Sequence, residues 1–322
     1  MRVASVQAVL AAGGTELARL MDQVEARMRE LTGAHGALLA RHAGETIAAG
    51  GKRLRPLLVC LAAGVPAPPR AGLVRAAVAV ELIHAATLVH DDVLDGASLR
   101  RGRPTVVAAA GRRLATATGD LLFSRAFAEL AGGGSVPSVQ ILSRASAELA
   151  AGELMQRSDA WRVGVDVERY LERCRLKTAV LFRAACELGA LEGGDEARAL
   201  GVFGERIGLA FQILDDVLDV SGPPERTGKP RGADLLDGTV TLPLILARGS
   251  DSKLAALDLR TVRTPEAAAR VCERIAASGA LADSKAHALE LVRKAKTGLP
   301  KLEDRHRSAL ELAADGVVER YA

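Results

Sequence analysis

Apolar residues recur at helical spacing along most of the chain. In residues 15–34, Leu17, Leu20, Met21, Val24 and Met28 fall three and four positions apart, which lines them up on one helix face. Similar spacing predicts helices over 35–49, 54–64, 112–131, 138–157, 166–190 and 195–219. The stretch 70–95 is apolar almost all round, as a helix buried on every side would be. A short helix is expected at 239–248 and amphipathic ones at 265–278, 280–297 and 303–321. Pro56 falls in the first turn of its helix, where proline is tolerated. Between these segments come short Gly/Pro punctuations, such as 63–72, 132–138 and 221–232. Strand-like alternation is not evident, and no linker is long enough to divide the chain. The expectation is one all-α domain over residues 1–322, a large helical bundle around a central cavity.

Composition agrees. Apolar residues make up 49% and aromatics only 2%, so the core is aliphatic and rich in helix-forming Ala and Leu. The net charge of +4 is small, and few aromatic rings are available for base stacking, which argues against nucleic-acid binding. Cys60, Cys174, Cys186 and Cys272 form neither a CxxC pair nor a zinc spacing and read as small buried hydrophobes. The N-terminus makes a poor signal peptide, since Gly13-Gly14 and Glu16 interrupt its apolar patch. No run of 18 apolar residues occurs, so no transmembrane helix is expected and the protein reads as cytoplasmic.

Chemistry enters with a repeated pentapeptide. DDVLD stands at 91–95 and again at 215–219, each time at the end of an apolar helix. On a helix, positions four apart point the same way, so Asp91 and Asp95 share a face, as do Asp215 and Asp219, while Asp92 and Asp216 turn aside. Carboxylates stacked at a helix C-terminus repel one another and oppose the helix dipole, so stability alone does not motivate them. A hard divalent cation such as Mg²⁺ resolves the repulsion, and Mg²⁺ commonly bridges carboxylates to substrate phosphates. Basic sites suited to phosphate accompany them: GGKRLRP at 50–56, LRRGRP at 99–104, Lys177-Thr178 and Lys229. Nothing around the two pentapeptides repeats, so they read as halves of one site, their carboxylates on the order of 10 Å apart across Mg²⁺ and a diphosphate.

In order, GGKRLRP, ELIHAATLVHDDVLDGASLRRGRPT, GDLLFSRAF, LKTAVLF and GLAFQILDDVLDVSG with TGKPRGADLLDGTVTLPL resemble the trans-prenyl diphosphate synthases. The resemblance runs over roughly residues 45–250. It implies an all-α fold, a homodimer, and Mg²⁺-dependent condensation of isopentenyl diphosphate with an allylic diphosphate. It places isopentenyl diphosphate on Lys52, Arg55, His84 and Arg101. The allylic diphosphate falls to Arg100, Lys177, Thr178, Gln212 and Lys229, through three Mg²⁺ held by Asp91, Asp95 and Asp215. Asp92, Asp216 and Asp219 then act through water or indirectly. Thr178, Gln212 and the carbonyl of Lys177 are candidates for stabilising the allylic cation. His90 reads as structural. One departure is Thr239, where many members carry lysine.

Ala86 and Thr87, five and four positions before Asp91, occupy positions where aromatic residues in the family act as a floor for short products. Both are small, so a geranylgeranyl or longer product is expected, with a deeper floor near Leu82, Ile83, Phe123 or Phe127. Two other readings differ in class. A class I terpene cyclase also uses DDxxD, but it needs neither GGKRLRP nor a second DDxxD. A non-catalytic subunit of a heteromeric synthase would be expected to carry damaged Asp motifs, and both are intact.

Overall fold

A computed structural model describes residues 4–33, 37–48, 53–64, 71–100, 102–222 and 231–319. Lys52, Arg101 and Lys229, all expected to bind substrate, lie outside the described residues. The chain order is α1 (Ala4–Gly33), α2 (Ala37–Ala48), α3 (Leu54–Ala62) and α4 (Ala71–Asp95), then a hairpin, then α5 (Val106–Ala131), α6 (Val136–Asp159) and α7 (Val167–Cys174). It continues through α8 (Val180–Gly193) and α9 (Ala197–Ser221). The C-terminal part holds α10 (Ala233–Leu236), α11 (Leu242–Ser250), α12 (Ser252–Ala255), α13 (Pro265–Ala277), α14 (Ala280–Thr297) and α15 (Asp304–Glu319). Among the described residues the fold is all-α apart from two short strands, as expected.

Helix α4 is the central element. It packs along α5 and against α1, α3 and α8, and its fully buried side chains include Leu73, Val78, Val80, Leu82 and Ile83. Burying each such side chain contributes roughly 1.5–3 kcal/mol, which fixes the helix that carries the first acidic motif. By length and apolarity alone α4 would be long enough to cross a membrane. However, 67% of its most apolar window is buried against other helices, and charged residues occupy its last turns.

Three boundaries differ from expectation for local reasons. Helix α1 begins at Ala4, but Gly14 at φ 75° bends it where the Gly pair interrupts the apolar pattern. Helix α5 begins at Val106 rather than 112, with a bend at Gly111 (φ 81°), because Thr105 caps it by accepting the Ala108 N–H at 3.1 Å. The helix expected over 166–190 is broken by a π-helical turn at Arg175–Ala179, whose closing bond runs from the Val180 N–H to the Arg175 carbonyl. Two glycines let neighbouring helices press on this turn. A Cβ on Gly152 of α6 would lie 2.6 Å from the Lys177 nitrogen, and one on Gly208 of α9 would lie 2.6 Å from Ala179 Cα. The turn thus sits between α6 and α9 with Lys177 and Thr178 at its centre.

Leu99–Arg100 and Arg103–Pro104 form the only strand pair among the described residues, with Leu99 opposite Pro104 and Arg100 opposite Arg103. Thr105 ties its base by donating to the Ala97 carbonyl at 2.5 Å. The hairpin therefore folds back over the end of α4.

Candidate active site

Helices α4 and α9 end on the same cavity, about 320 Å³ in volume. Asp91 and Asp95 reach it from α4, and Asp215 and Asp216 from α9. Arg55 and His84 line it on one side, and Lys177, Thr178 and Gln212 on another. Arg100 and Thr239 are at its edge. Most of the residues singled out in sequence are thus brought together. Asp92 and Asp219 are not in the lining, whereas Asp216, expected to act indirectly like them, is.

Each acidic motif is held by its neighbours. Asp92 is buried, and Arg100 donates to it from the hairpin at 2.8 Å. Arg100 lines both the main cavity and a neighbouring pocket of about 420 Å³ beside α2, which Asp92 also lines. Asp95 is exposed and accepts from Arg157 of α6 at 2.8 Å. Burial raises the Asp91 pKa; Lys177 opposes that shift, while Glu153 and Asp95 add to it. Asp91 is therefore less readily ionised than a solvent-exposed aspartate.

On α9, Asp216 is buried between two neutral donors. The Tyr170 hydroxyl donates to one oxygen at 2.7 Å and the Gln212 amide to the other at 2.7 Å. Burial pushes the Asp216 pKa up to about 7, against the pull of these hydrogen bonds. Gln212 in turn accepts from the Thr178 hydroxyl at 2.7 Å, so α9, α7 and the π-helical turn form one chain of bonds. Asp219 caps α10, accepting from Ala233 N at 3.1 Å and Asp234 N at 3.3 Å. That cap presents Asp234 and Asp237 to the cavity.

Several cavity residues escaped the sequence reading. Lys177 donates to Glu153 at 2.6 Å, and Glu153 also accepts from Arg157 at 2.8 Å. Burial alone would raise the Glu153 pKa, but Lys177 and Arg157 outweigh it and hold it low. Gln156, Arg157, Tyr170, Arg173 and Asp237 line the cavity itself, whereas Glu153 is not in its lining. One signal was available: Glu153 and Arg157 stand four apart on a helix whose other face is apolar, and only two tyrosines occur in the chain. GGKRLRP also divides in a way its letters do not reveal. Arg53 caps α3 with a left-handed backbone (φ 48°), and its side chain is committed to Glu25, to Glu81 at 2.9 Å and to the Ile47 carbonyl at 2.8 Å. Arg55 is the one that faces the cavity.

A second, more apolar cavity of about 560 Å³ shares Thr87, Asp91 and Lys177 with the first and runs between α4, α5 and α6. Thr87 lines both, whereas Ala86 is fully buried and lines neither. Of the four floor candidates, Phe123 is in this lining and Leu82, Ile83 and Phe127 are not. His90 lies there too, stacked on Phe123 with ring centroids 6.1 Å apart.

The residues fit a divalent cation. Oxygen donors from two helices meet at a cavity where Asp91 is destabilised as an anion, and cations flank the space a diphosphate would need. No group of three protein ligands able to hold a metal ion occurs among the described residues.

The polyprenyl synthetase family profile matches residues 37–277. The chain belongs to the polyprenyl synthetase family. It is therefore a prenyltransferase of a divalent-metal-dependent family. It is 45% identical over 212 residues to heptaprenyl diphosphate synthase component 2 of Geobacillus stearothermophilus, covering 65% of this chain and 66% of that one. It is 38% identical over 283 residues to geranylgeranyl diphosphate synthase of Methanosarcina mazei, covering 84% and 86%. Among solved structures, polyprenyl synthase from Caulobacter crescentus CB15, complexed with calcium and isoprenyl diphosphate, superposes with a TM-score of 0.88 at 36% identity over 98% of both chains.

Proposed function

We propose that this polyprenyl synthetase condenses isopentenyl diphosphate with an allylic prenyl diphosphate to make an all-trans polyprenyl diphosphate of geranylgeranyl length or longer. The observation that carries this reading is the meeting of both DDVLD segments at one cavity flanked by Arg55, Arg100 and Lys177. Asp91, Asp95 and Asp215 would hold the Mg²⁺ ions, three with substrate bound. When bound, these ions neutralise the diphosphate that leaves.

The chain's own groups account for the rest. Lys177, Arg100 and Lys229 hold the allylic diphosphate, while Arg55, His84, Lys52 and Arg101 hold isopentenyl diphosphate. The allylic C–O bond breaks and diphosphate departs with the electron pair. The double bond of isopentenyl diphosphate attacks the allylic carbon, and the proton then lost goes to the departed diphosphate. Thr178, Gln212 and the Lys177 carbonyl face the cation with oxygen dipoles. Thr178 already orients Gln212 by donating to it. Asp92 acts indirectly by fixing Arg100, Asp216 by fixing Gln212 and Asp219 by capping α10. The apolar second cavity takes the growing chain past Thr87 and keeps water from the cation.

The test is incubation with labelled isopentenyl diphosphate, Mg²⁺ and each allylic primer from C5 to C20, followed by product sizing. Elongation that stops on chelation supports the reading; no elongation with any primer overturns it. Thr87→Phe, at the position that lines both cavities, should shorten the product. An unchanged distribution would remove Thr87 from the chain-length assignment.

For assembly we propose a homodimer. A relative named component 2 favours a second reading, in which this chain is the catalytic part of a two-component enzyme. Full activity of the purified chain alone, with a dimer mass by light scattering, would decide for the homodimer.

A further inference from the structure

Arg55 and Arg53 stand two residues apart but are held in opposite ways. Arg53 is tied to carboxylates and a carbonyl. Arg55, half-buried at the cavity, lies over the face of Phe182, its guanidinium carbon 4.6 Å from the ring centroid. Its buried Nε has no hydrogen-bond partner among the described residues. The nearby carboxylate of Glu81 accepts instead from Arg53, at 2.9 Å. Phe182 is itself fixed. It is fully buried on α8 and packs on Phe211 of α9 with centroids 5.5 Å apart. On α9, a Cβ at Gly204 would lie 2.5 Å from the Phe182 carbonyl oxygen, so the two helices are closer there than any side chain larger than glycine's would allow.

The chemistry of this arrangement differs from that of an ion pair. A carboxylate partner would cancel the charge of Arg55 and occupy its N–H donors. A ring face attracts the cation, fixes its plane and leaves the donors at the guanidinium edge for a ligand. Burial lowers the Arg55 pKa only to about 10, so the group stays charged at neutral pH. We propose that Phe182 is a positioning residue for the homoallylic diphosphate: its ring holds Arg55 flat, charged and with free donors until isopentenyl diphosphate arrives. This rests on the function proposed above, in which Arg55 binds that substrate.

The test is steady-state kinetics on Phe182→Leu, Phe182→Tyr, Arg55→Lys and the double variant Phe182→Leu/Arg55→Lys. Phe182→Leu should raise KM for isopentenyl diphosphate about tenfold while leaving KM for the allylic primer and kcat within twofold. Phe182→Tyr, which keeps the ring, should stay near the parent. In the Arg55→Lys background, Phe182→Leu should add little, because lysine has no planar fork to stack. Equal rises in both KM values, a full additional loss in the double variant, or no effect of Phe182→Leu overturns the proposal and leaves the function standing. Should Phe182→Leu not fold, the Tyr variant still decides: a KM for isopentenyl diphosphate raised as far as in Arg55→Lys would contradict it. Failure of the unsubstituted protein to elongate any primer would instead overturn the function, and this proposal with it.

Discussion

The two DDVLD segments are identical in letters and opposite in surroundings. In the first, the middle aspartate is held by the cation of Arg100 and the last by that of Arg157. In the second, the middle aspartate is held by the neutral groups of Tyr170 and Gln212, and the last by backbone N–H groups of α10. A cation supplied by the protein competes with a metal for the same charge, whereas neutral donors orient a carboxylate without discharging it. If Asp91, Asp95 and Asp215 hold metal as proposed, the first motif must exchange Arg157 for it as the site loads, whereas the second is tied by neutral donors beforehand. In each, the middle residue fixes a neighbour and leaves the first residue to the cavity.

The sharpest way to break this comparison is to neutralise the leading aspartates. Asp91→Asn and Asp215→Asn should each lower kcat on the order of 10³-fold, with unchanged circular dichroism. A large loss for one and a small loss for the other would mean that the two motifs do not serve one diphosphate. Next in size is Tyr170→Phe, which leaves a buried carboxylate oxygen without its donor. It should cost roughly 1–3 kcal/mol in urea unfolding, seen as a lower midpoint at constant m. No change in the midpoint would remove Tyr170 from the rigid half. The smallest effect is expected for Arg157→Gln. Freed of its exposed ion pair, Asp95 should take Mg²⁺ in the absence of diphosphate about two- to fivefold more tightly by calorimetry. Weaker metal binding would show that Arg157 supports the metal site instead of competing with it.

Much of this was legible because helix periodicity and acidic spacing are local signals. The amphipathic C-terminal helices were expected within a residue or two of their observed ends, since Pro265, Gly279 and Gly298 mark them in sequence. The π-helical turn was not legible. It depends on how closely α6 and α9 approach, and Gly152 and Gly208 are far from Lys177 along the chain. The split between Arg53 and Arg55 was hidden for the same reason, since the partners that separate them, Glu25, Glu81 and Phe182, come from three other helices. Tyr170 belongs to no acidic or basic cluster and Arg157 is marked only by its spacing from Glu153; their partners on the motifs come into reach only when α6 and α7 fold over the motif ends. The interior of an apolar helix such as α4 gives no face preference, so sequence could not tell that Thr87 would line the cavities while Ala86 would not.

The central claim is that both acidic motifs bind one diphosphate through shared metal. Calorimetric titration of inorganic diphosphate into the parent protein, Asp91→Asn and Asp215→Asn, each with and without Mg²⁺, tests it most directly. The parent should bind diphosphate only with Mg²⁺ present, and both variants should lose that binding. Retention of tight, Mg²⁺-dependent binding by either variant would contradict it.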